Sequence, residues 1–511
     1  MLTQTPTHTL TNGAQALRPY PTETDPGVSA LTATLPAAPT FTPTLTDIPL
    51  TPTGTPAPVG LPEPPEGRTR YVLQASLDYA RHSLSVEEQV TYTNTTPDSL
   101  EDIPLVVEAR RYPGAFNLKS LRWADGQAAA HLRRENQIVL PLAEALAPGA
   151  MLQFQLSYEL TLPDITRLAN VRPYPLGYTD LQANFGDWYP FIPPYRAGEG
   201  WLAHPNGFYG EHLVYEIADF EVSIRSTLNP SNLVFAASAP AQVDGEWQRY
   251  QSQAARSFAW SASPYYQVIT QTVELASGSA VTLASYAFPF FEEASASLVR
   301  TMAQAVPLYT RLYGERPLRM LSAVQVDFLD GMEYDGLFML SRDFYNWHKE
   351  DEADFLAALG AHESAHQWFY ALVGNDQALQ PWLDEALCTY SERLYYENTY
   401  PQALEWWWTY RIYYYEPKGY IDISIYDVPA VAGQYRAYRD TIYLNGSLFI
   451  EELRTQIGDT AFFEFLRDYV RQGAYRQATA ADFFAILGQH ASLDLAPLLR
   501  QYFDKDPLAA P

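Results

Sequence analysis

The chain has 511 residues, 59 acidic against 33 basic, and a formal charge of −26. That length allows two or three domains, each burying its own core, and the charge argues against nucleic acid, because a surface of that sign repels phosphate backbones. One cysteine, Cys388, excludes an intrachain disulfide framework, as in a reducing compartment or in an exported bacterial protein that never used disulfides.

Residues 1–67 are expected to form a stalk or linker. The stretch 40–65 (TFTPTLTDIPLTPTGTPAPVGLPEPP) is dominated by threonine and proline and shows no hydrophobic period. Proline removes amide donors, and so polar a segment buries too little surface to offset chain entropy. An extended, disordered segment is expected, either a tether holding a catalytic body at a cell envelope or a passive tail. With the absent disulfides and the acidic surface, it points to an extracellular or envelope-associated protein. The lack of a basic-then-apolar leader points the other way. No run of about eighteen apolar residues occurs, so no membrane span is expected.

Residues 68–270 predict an all-β domain. Segments 70–80, 83–93, 137–141, 152–162 and 219–226 alternate apolar and polar residues, and turn signals such as Pro148-Gly149 and Asp244-Gly245 separate them. Many short strands in series suggest an antiparallel sandwich or saddle-shaped sheet. Residues 271–511 predict a second domain, α+β and mostly helical. Segment 292–313 has helical spacing and stops at Gly314, with Pro317 beyond it. Two strand-like runs follow, 320–328 and 336–340, joined by residues 329–335 (LDGMEYD), and long helical segments fill the rest.

The chemistry is concentrated in His362-Glu363-Ser364-Ala365-His366, inside a segment, 351–373, that reads as one helix. Histidines four apart sit one turn apart on one face, so both imidazoles can reach one ion. Glu363, about a quarter-turn round the helix, can touch a water at that ion without displacing a ligand. Zinc needs a third protein ligand and an open fourth position. Glu385 is the candidate: it follows His366 after eighteen intervening residues, early in a second helical segment opened by Pro381. A turn through Gly374-Asn375-Asp376 would fold that helix back against the first. By chance an H-E-x-x-H arises in roughly one such chain in a hundred, and a glutamate at one fixed later spacing lowers that by about another order of magnitude.

H-E-x-x-H, eighteen residues, then glutamate within Trp382-Leu383-Asp384-Glu385 resembles the signature of gluzincin zinc metallopeptidases of the aminopeptidase N type. Gly331-Met332-Glu333 resembles that family's G-x-M-E-N exopeptidase motif, with Asp330 in place of its first glycine and Tyr334 in place of its asparagine. Tyr443-Leu444-Asn445-Gly446 resembles its Y-x-K-G motif, with Asn445 in place of lysine. The β-rich stretch, including residues 184–190 (NFGDWYP), is similar to its N-terminal saddle domain. The likeness covers about residues 70–505 and fits a short form without the family's large C-terminal helical domain.

The resemblance implies a thermolysin-like catalytic domain holding one Zn2+ on His362, His366 and Glu385. It implies Glu363 as general base and Tyr443 as oxyanion donor, with Tyr438 a competing phenol. It implies Glu333, beside Gly331 and Met332, as the anchor for the α-ammonium of a peptide with a free N-terminus, with Gln182 of the β domain as a further wall of that pocket. The activity implied is removal of N-terminal residues from peptides. Two alternatives stand beside it: a zinc peptidase of broader, endopeptidase-like specificity, and a catalytically silent scaffold, whose mark would be a lost ligand or base. The aromatic block Trp406-Trp407-Trp408 with Tyr413-Tyr414-Tyr415 has two readings, a wall of a substrate cleft or, at helical spacing, core against neighbouring helices, and core is the commoner. His348 reads as structural or solvent-facing, and Cys388 as a small buried hydrophobe.

Overall fold

The computed structural model describes residues 60–505, apart from 169–171, 229–231, 432–433 and 493. The expected stalk falls mostly outside the described residues. Within them a sheet-rich N-terminal domain precedes a helical region.

Alternation builds the first domain. Tyr71, Leu73, Ala75 and Leu77 of strand Thr69–Asp78 are buried, as are Leu84, Val86, Val90 and Tyr92 of Ser83–Thr93, so each strand turns one apolar face inward. Both lie in a seven-stranded sheet with Met151–Thr161, Phe116–Trp123, Ala218–Leu228, Trp247–Ala255 and Gln242–Asp244. The sheet departs from the antiparallel expectation at one place, where Thr69–Asp78 runs parallel to Ala218–Leu228 from Thr69 opposite Ala218 onward. A parallel partner requires a long return. Here the return contains a three-stranded sheet (Leu100–Val106, Leu132–Arg134, Gln137–Leu146) and the hairpin Leu176–Tyr178 with Ala183–Phe185.

The second domain is built on a five-stranded sheet. Its strands are β1 (Gln267–Glu274), β2 (Ala280–Ala287), β3 (Met320–Val326), β4 (Gly331–Tyr334) and β5 (Leu337–Ser341), in the order β1-β2-β3-β5-β4. Helix α1 (Glu292–Tyr313) buries Leu298, Val299, Met302, Ala305, Val306 and Tyr309 and ends at Gly314, whose φ of 110° halts it where the sequence expects. The segment expected as a mere connection contains an edge strand, β4, antiparallel to β5 with Glu333 opposite Phe338. Four residues are too few to show a period, so pairing with β5 is what makes them a strand.

Helix α2 (Phe355–Ala365) starts at Asp354, whose carboxylate accepts from the Leu356 N–H. The expected helix over 351–373 is shorter: it ends with His366 as C-cap, and residues beyond fold into turns in which Tyr370 takes a φ of 122°. Tertiary bonds explain the exit, since Trp368 Nε1 donates to the Gly314 carbonyl at 2.7 Å and Tyr370 donates to Ser257 Oγ at 3.0 Å. A straight helix could not satisfy both. After a reversal through Gly374–Gln380, α3 (Trp382–Thr399) packs back on α2. Helix α4 (Gly446–Ile457) lies so close to α3 that a Cβ on Gly446 would stand 2.5 Å from the Ala386 Cβ. No helix among the described residues is long and apolar enough to cross a membrane.

Candidate active site

Helices α2 and α3 bring three candidate ligand atoms to one point. His362 Nε2 lies 3.1 Å from His366 Nε2 and 3.2 Å from Glu385 Oε2, and His366 Nε2 lies 3.6 Å from that oxygen. A tetrahedral ion with zinc bonds of about 2.0–2.1 Å spaces its ligand atoms about 3.3 Å apart, so this donor set fits zinc. All three residues are buried. Burial and the neighbouring His362 hold the His366 imidazole well below its ordinary pKa, which keeps it neutral and able to coordinate.

The opposite edges of both rings are held. His362 Nδ1 donates to Glu392 Oε1 at 3.0 Å, and His366 Nδ1 to the Phe369 carbonyl at 3.1 Å, which turns both Nε2 atoms inward. Glu392 also accepts from Trp407 Nε1 at 2.9 Å and from Arg411 Nε and Nη2 at 2.8 and 2.7 Å. Burial alone would raise its pKa, but Arg411 and His362 outweigh that and set it at about 2. Trp407 and Arg411 share a π-helical stretch, Trp407–Ile412, so the aromatic block is partly core and partly support for a ligand. Cys388 sits behind His366, its Sγ 3.3 Å from Nδ1, on the side away from the other ligands.

Glu363 projects into the cleft. Its Oε2 is buried without a hydrogen-bond partner, and burial raises its pKa well above the usual carboxylate range. An orphaned acceptor beside a metal-fitting triad is what a water-activating base requires. Tyr443 lies on a second π-helical stretch, Asp440–Asn445, and donates to Glu385 Oε1 at 2.7 Å. Tyr438 does not line the cleft. Its phenol packs under Gly210, where an added Cβ would stand 2.8 Å from the hydroxyl.

A second carboxylate group stands beside the triad. Oxygens of Glu333, Glu385 and Glu211 lie within 4.8 Å of one another. Glu333 Oε1 accepts from Gln377 Nε2 at 2.9 Å, and the same nitrogen donates to Asp384 Oδ2 at 3.0 Å. Burial and the facing Glu211 raise the Glu333 pKa, and burial likewise raises that of Glu211. Three such groups cannot all stay ionised without cations between them. Gly331 and Met332 line the same cleft. Asp330 has a φ of 69°, where the family pattern has glycine, and accepts from the Tyr435 hydroxyl. Tyr334 reaches across to the first domain and donates to Asp187 Oδ2 at 3.1 Å, while Tyr215 donates to Oδ1 at 2.7 Å. Burial pushes Asp187 up to about 6.

Gln182 is a correction. It does not line the cleft, because its hairpin turns it into the β domain, where its Oε1 accepts from Tyr266 at 3.1 Å. The N-terminal residue that does reach the cluster is Glu211, on an irregular segment between Gly210 and strand Ala218–Leu228, with its Oε2 buried and unpaired. Nothing periodic marks Glu211 in the sequence. Glu392 is marked, by lying seven residues after Glu385 and so two turns further along the same face.

A family model described as Peptidase family M1 domain matches residues 313–502. The chain carries a peptidase family M1 domain. That M1 domain holds His362, Glu363, His366, Glu385, Tyr443 and Glu333, while Glu211 lies outside it. None of the curated proteins matches the sequence. Among solved structures, the M1 zinc metallopeptidase from Deinococcus radiodurans is 16% identical over 88% of this chain and 96% of its own, with a TM-score of 0.61. A two-domain M1 zinc metallopeptidase mutant bound to L-tryptophan is 17% identical over 88% of this chain and 99% of its own, with a TM-score of 0.58. A mutant of the Deinococcus radiodurans protein bound to a Tyr-Ser-Ala substrate is 16% identical over 86% and 95%, with a TM-score of 0.57. At these identities the likeness establishes a shared fold, with a sheet-rich domain leading into a helical one.

Proposed function

We propose that the protein is a zinc aminopeptidase that removes single residues from peptides with a free N-terminus. The carrying observation is the spacing of its two carboxylate groups: Glu333 and Glu211 stand within 4.8 Å of Glu385, itself one of the three atoms that fit the metal. In an N-terminal residue the α-nitrogen and the scissile carbonyl carbon are about 2.5 Å apart, from the N–Cα and Cα–C bond lengths and the angle between them. An ammonium held by Glu333 and Glu211 therefore puts the first peptide bond at the metal position. It also supplies the cation that two facing carboxylates need. The same reading takes the domain from about residue 271 onward as thermolysin-like, and the solved relatives described with bound amino acids and a tripeptide are in keeping with it.

His362, His366 and Glu385 would hold zinc, with Glu392 fixing the His362 ring. Zinc held there supplies Lewis acidity and brings the pKa of water from about 16 towards about 7. Glu363, its free oxygen turned into the cleft, accepts the proton of the attacking water and returns it to the leaving amine. Tyr443, an uncharged donor whose hydroxyl rests on Glu385 Oε1, would turn that hydrogen bond to the oxyanion as charge develops there. Glu333 and Glu211 hold the ammonium and block the cleft beyond the first residue.

The test is hydrolysis of free-amine aminoacyl chromogenic substrates beside their N-acetylated counterparts, with and without a zinc chelator. Chelator-sensitive cleavage confined to the free-amine set is expected. Equal cleavage of acetylated substrates would overturn the exopeptidase reading and leave a broader zinc peptidase.

A further inference from the structure

Gln367 directly follows the second histidine, yet it does not line the cleft and is fully buried. Its carboxamide is spent on the strand that carries Glu333. Nε2 donates to the Tyr334 carbonyl at 3.1 Å, and Oε1 accepts from the Gly336 N–H at 2.9 Å. Arg316 closes the arrangement from below. Its Nη1 donates to the Gln367 carbonyl at 2.6 Å and to Oε1 at 3.3 Å, and its Nη2 donates to Asp335 Oδ1 at 2.7 Å. Asp335 Oδ2 accepts in turn from the Arg256 N–H at 3.0 Å.

Residues 334–336 are thus tied to the residue after His366 by two side-chain hydrogen bonds and by the Arg316 bridge to Asp335, all buried. Gly336 lies hard against the Ser238 backbone: its φ is 74°, and a Cβ there would stand 2.2 Å from the Ser238 carbonyl oxygen. One residue before the tied segment stands Glu333, and one residue before Gln367 stands His366. The separation between ammonium anchor and metal is therefore set less by the anchor than by this clamp. Gln377 steadies the Glu333 carboxylate from the other side but bonds only to α3 and the anchor itself.

We infer that Gln367 is a positioning residue that sets the exopeptidase register, holding the Glu333 strand at the distance from the metal that matches one amino-acid residue. This rests on the aminopeptidase reading of the cleft. Loosening the clamp leaves the metal triad and Glu363 on α2 and α3 but lets β4, an edge strand, drift. A misplacement near 1 Å is costly in such a site. The loss falls on substrates that use the anchor.

The test compares wild-type protein with Gln367→Ala and Gln367→Glu. Zinc content is measured by metal analysis, and kcat and KM on an aminoacyl anilide and on its N-acetyl counterpart. Binding of a free L-amino acid and its N-acetyl form is followed by calorimetry, which does not depend on turnover. Gln367→Glu keeps the bonds accepted from Gly336 and Arg316 but replaces the donation to Tyr334 with a contact between two acceptor oxygens, and Arg316 offsets its added charge, so it stays informative if the alanine variant fails to fold. The expected result is retained zinc and a KM for the free-amine substrate raised by about tenfold or more. The preference for free over acetylated amine should shrink in both assays, less in Gln367→Glu than in Gln367→Ala. A wild-type preference that survives unchanged, or equal loss on both substrate classes, overturns the inference alone. A wild-type protein that treats both classes alike sinks the aminopeptidase reading, and this inference with it.

Discussion

Gly331 and Glu363 are in close approach: a Cβ placed on Gly331 would stand 2.9 Å from the Glu363 Oε1. On the far side the same Cβ would meet the Met339 carbonyl at 3.1 Å, and that backbone is fixed by strand pairing. The give therefore falls on the Glu363 carboxylate, and the glycine of the motif is required by the base rather than by its own torsion angles. Gly331→Ala is expected to lower kcat by about ten- to a hundredfold with zinc content unchanged, since a displaced base misses the proton it must take. A normal kcat in the alanine variant would show that the carboxylate moves aside freely.

Glu363→Gln removes the base but keeps the shape. Because Glu363 Oε2 makes no hydrogen bond and is not one of the three converging ligand atoms, metal content should equal that of the wild-type protein. Activity should fall by about 10²–10⁴, the usual share of a positioned acid–base group. Unchanged turnover in a zinc-replete sample would remove Glu363 from that role.

The two phenols near the cleft give opposite expectations. Tyr443 donates to Glu385 and lines the cleft, whereas Tyr438 lies beneath Gly210 with its hydroxyl unpaired. Tyr443→Phe should cost about 10²–10³ in kcat, as losing one oxyanion donor does, with KM little changed. Tyr438→Phe should leave kcat at the wild-type value. Parity of the two variants would count against the assignment.

Glu392 tests the support behind the triad. Four donors, from His362, Trp407 and Arg411 twice, saturate its two oxygens. Glu392→Gln puts an amide where one of these donors must be accepted and frees the His362 ring to turn. Zinc affinity should drop by about 10- to 100-fold, the usual effect of losing such an outer partner, as read by competition with a chromophoric chelator. An unaltered affinity would mean that Glu392 serves packing alone.

The legible and illegible parts of the site differ in a physical way. His362, Glu363 and His366 could be read because helical spacing is local, and Glu385 because one short reversal carries it back. Even there the helix stops short of the expected residue 373, since the bonds of Trp368 to Gly314 and of Tyr370 to Ser257 are tertiary and leave no period. Gln182 shows the limit from the other side. As a wall of the amine pocket it is not realised, because the direction of one side chain depends on hairpin register, and that register points it at Tyr266. Glu211 reaches the site from a segment without repeating structure, whose route is decided by packing such as Gly210 on Tyr438. The parallel pairing of Thr69–Asp78 with Ala218–Leu228 is likewise non-local, because alternation gives a strand its buried face but not its neighbour.

Glu88 does not line the cleft and offers a test of the β domain. It occupies an inward position of strand Ser83–Thr93, in step with buried Leu84, Val86, Val90 and Tyr92, and both its oxygens lack hydrogen-bond partners. Burial raises its pKa well above the ordinary carboxylate value, only partly opposed by the nearby Tyr158 hydroxyl. The folded protein thus keeps a proton that the unfolded chain releases above about pH 4.3. Stability falls as pH rises from there towards the folded-state pKa, by up to about 1.4 kcal/mol per pH unit. Glu88→Gln keeps the shape and removes the titration. It should match the wild-type melting temperature near pH 4 and exceed it by a margin that widens as the pH rises towards the folded-state pKa, as followed by thermal unfolding at several pH values. A margin that stays constant with pH would show that Glu88 is ionised in the folded state and has found a partner for its charge.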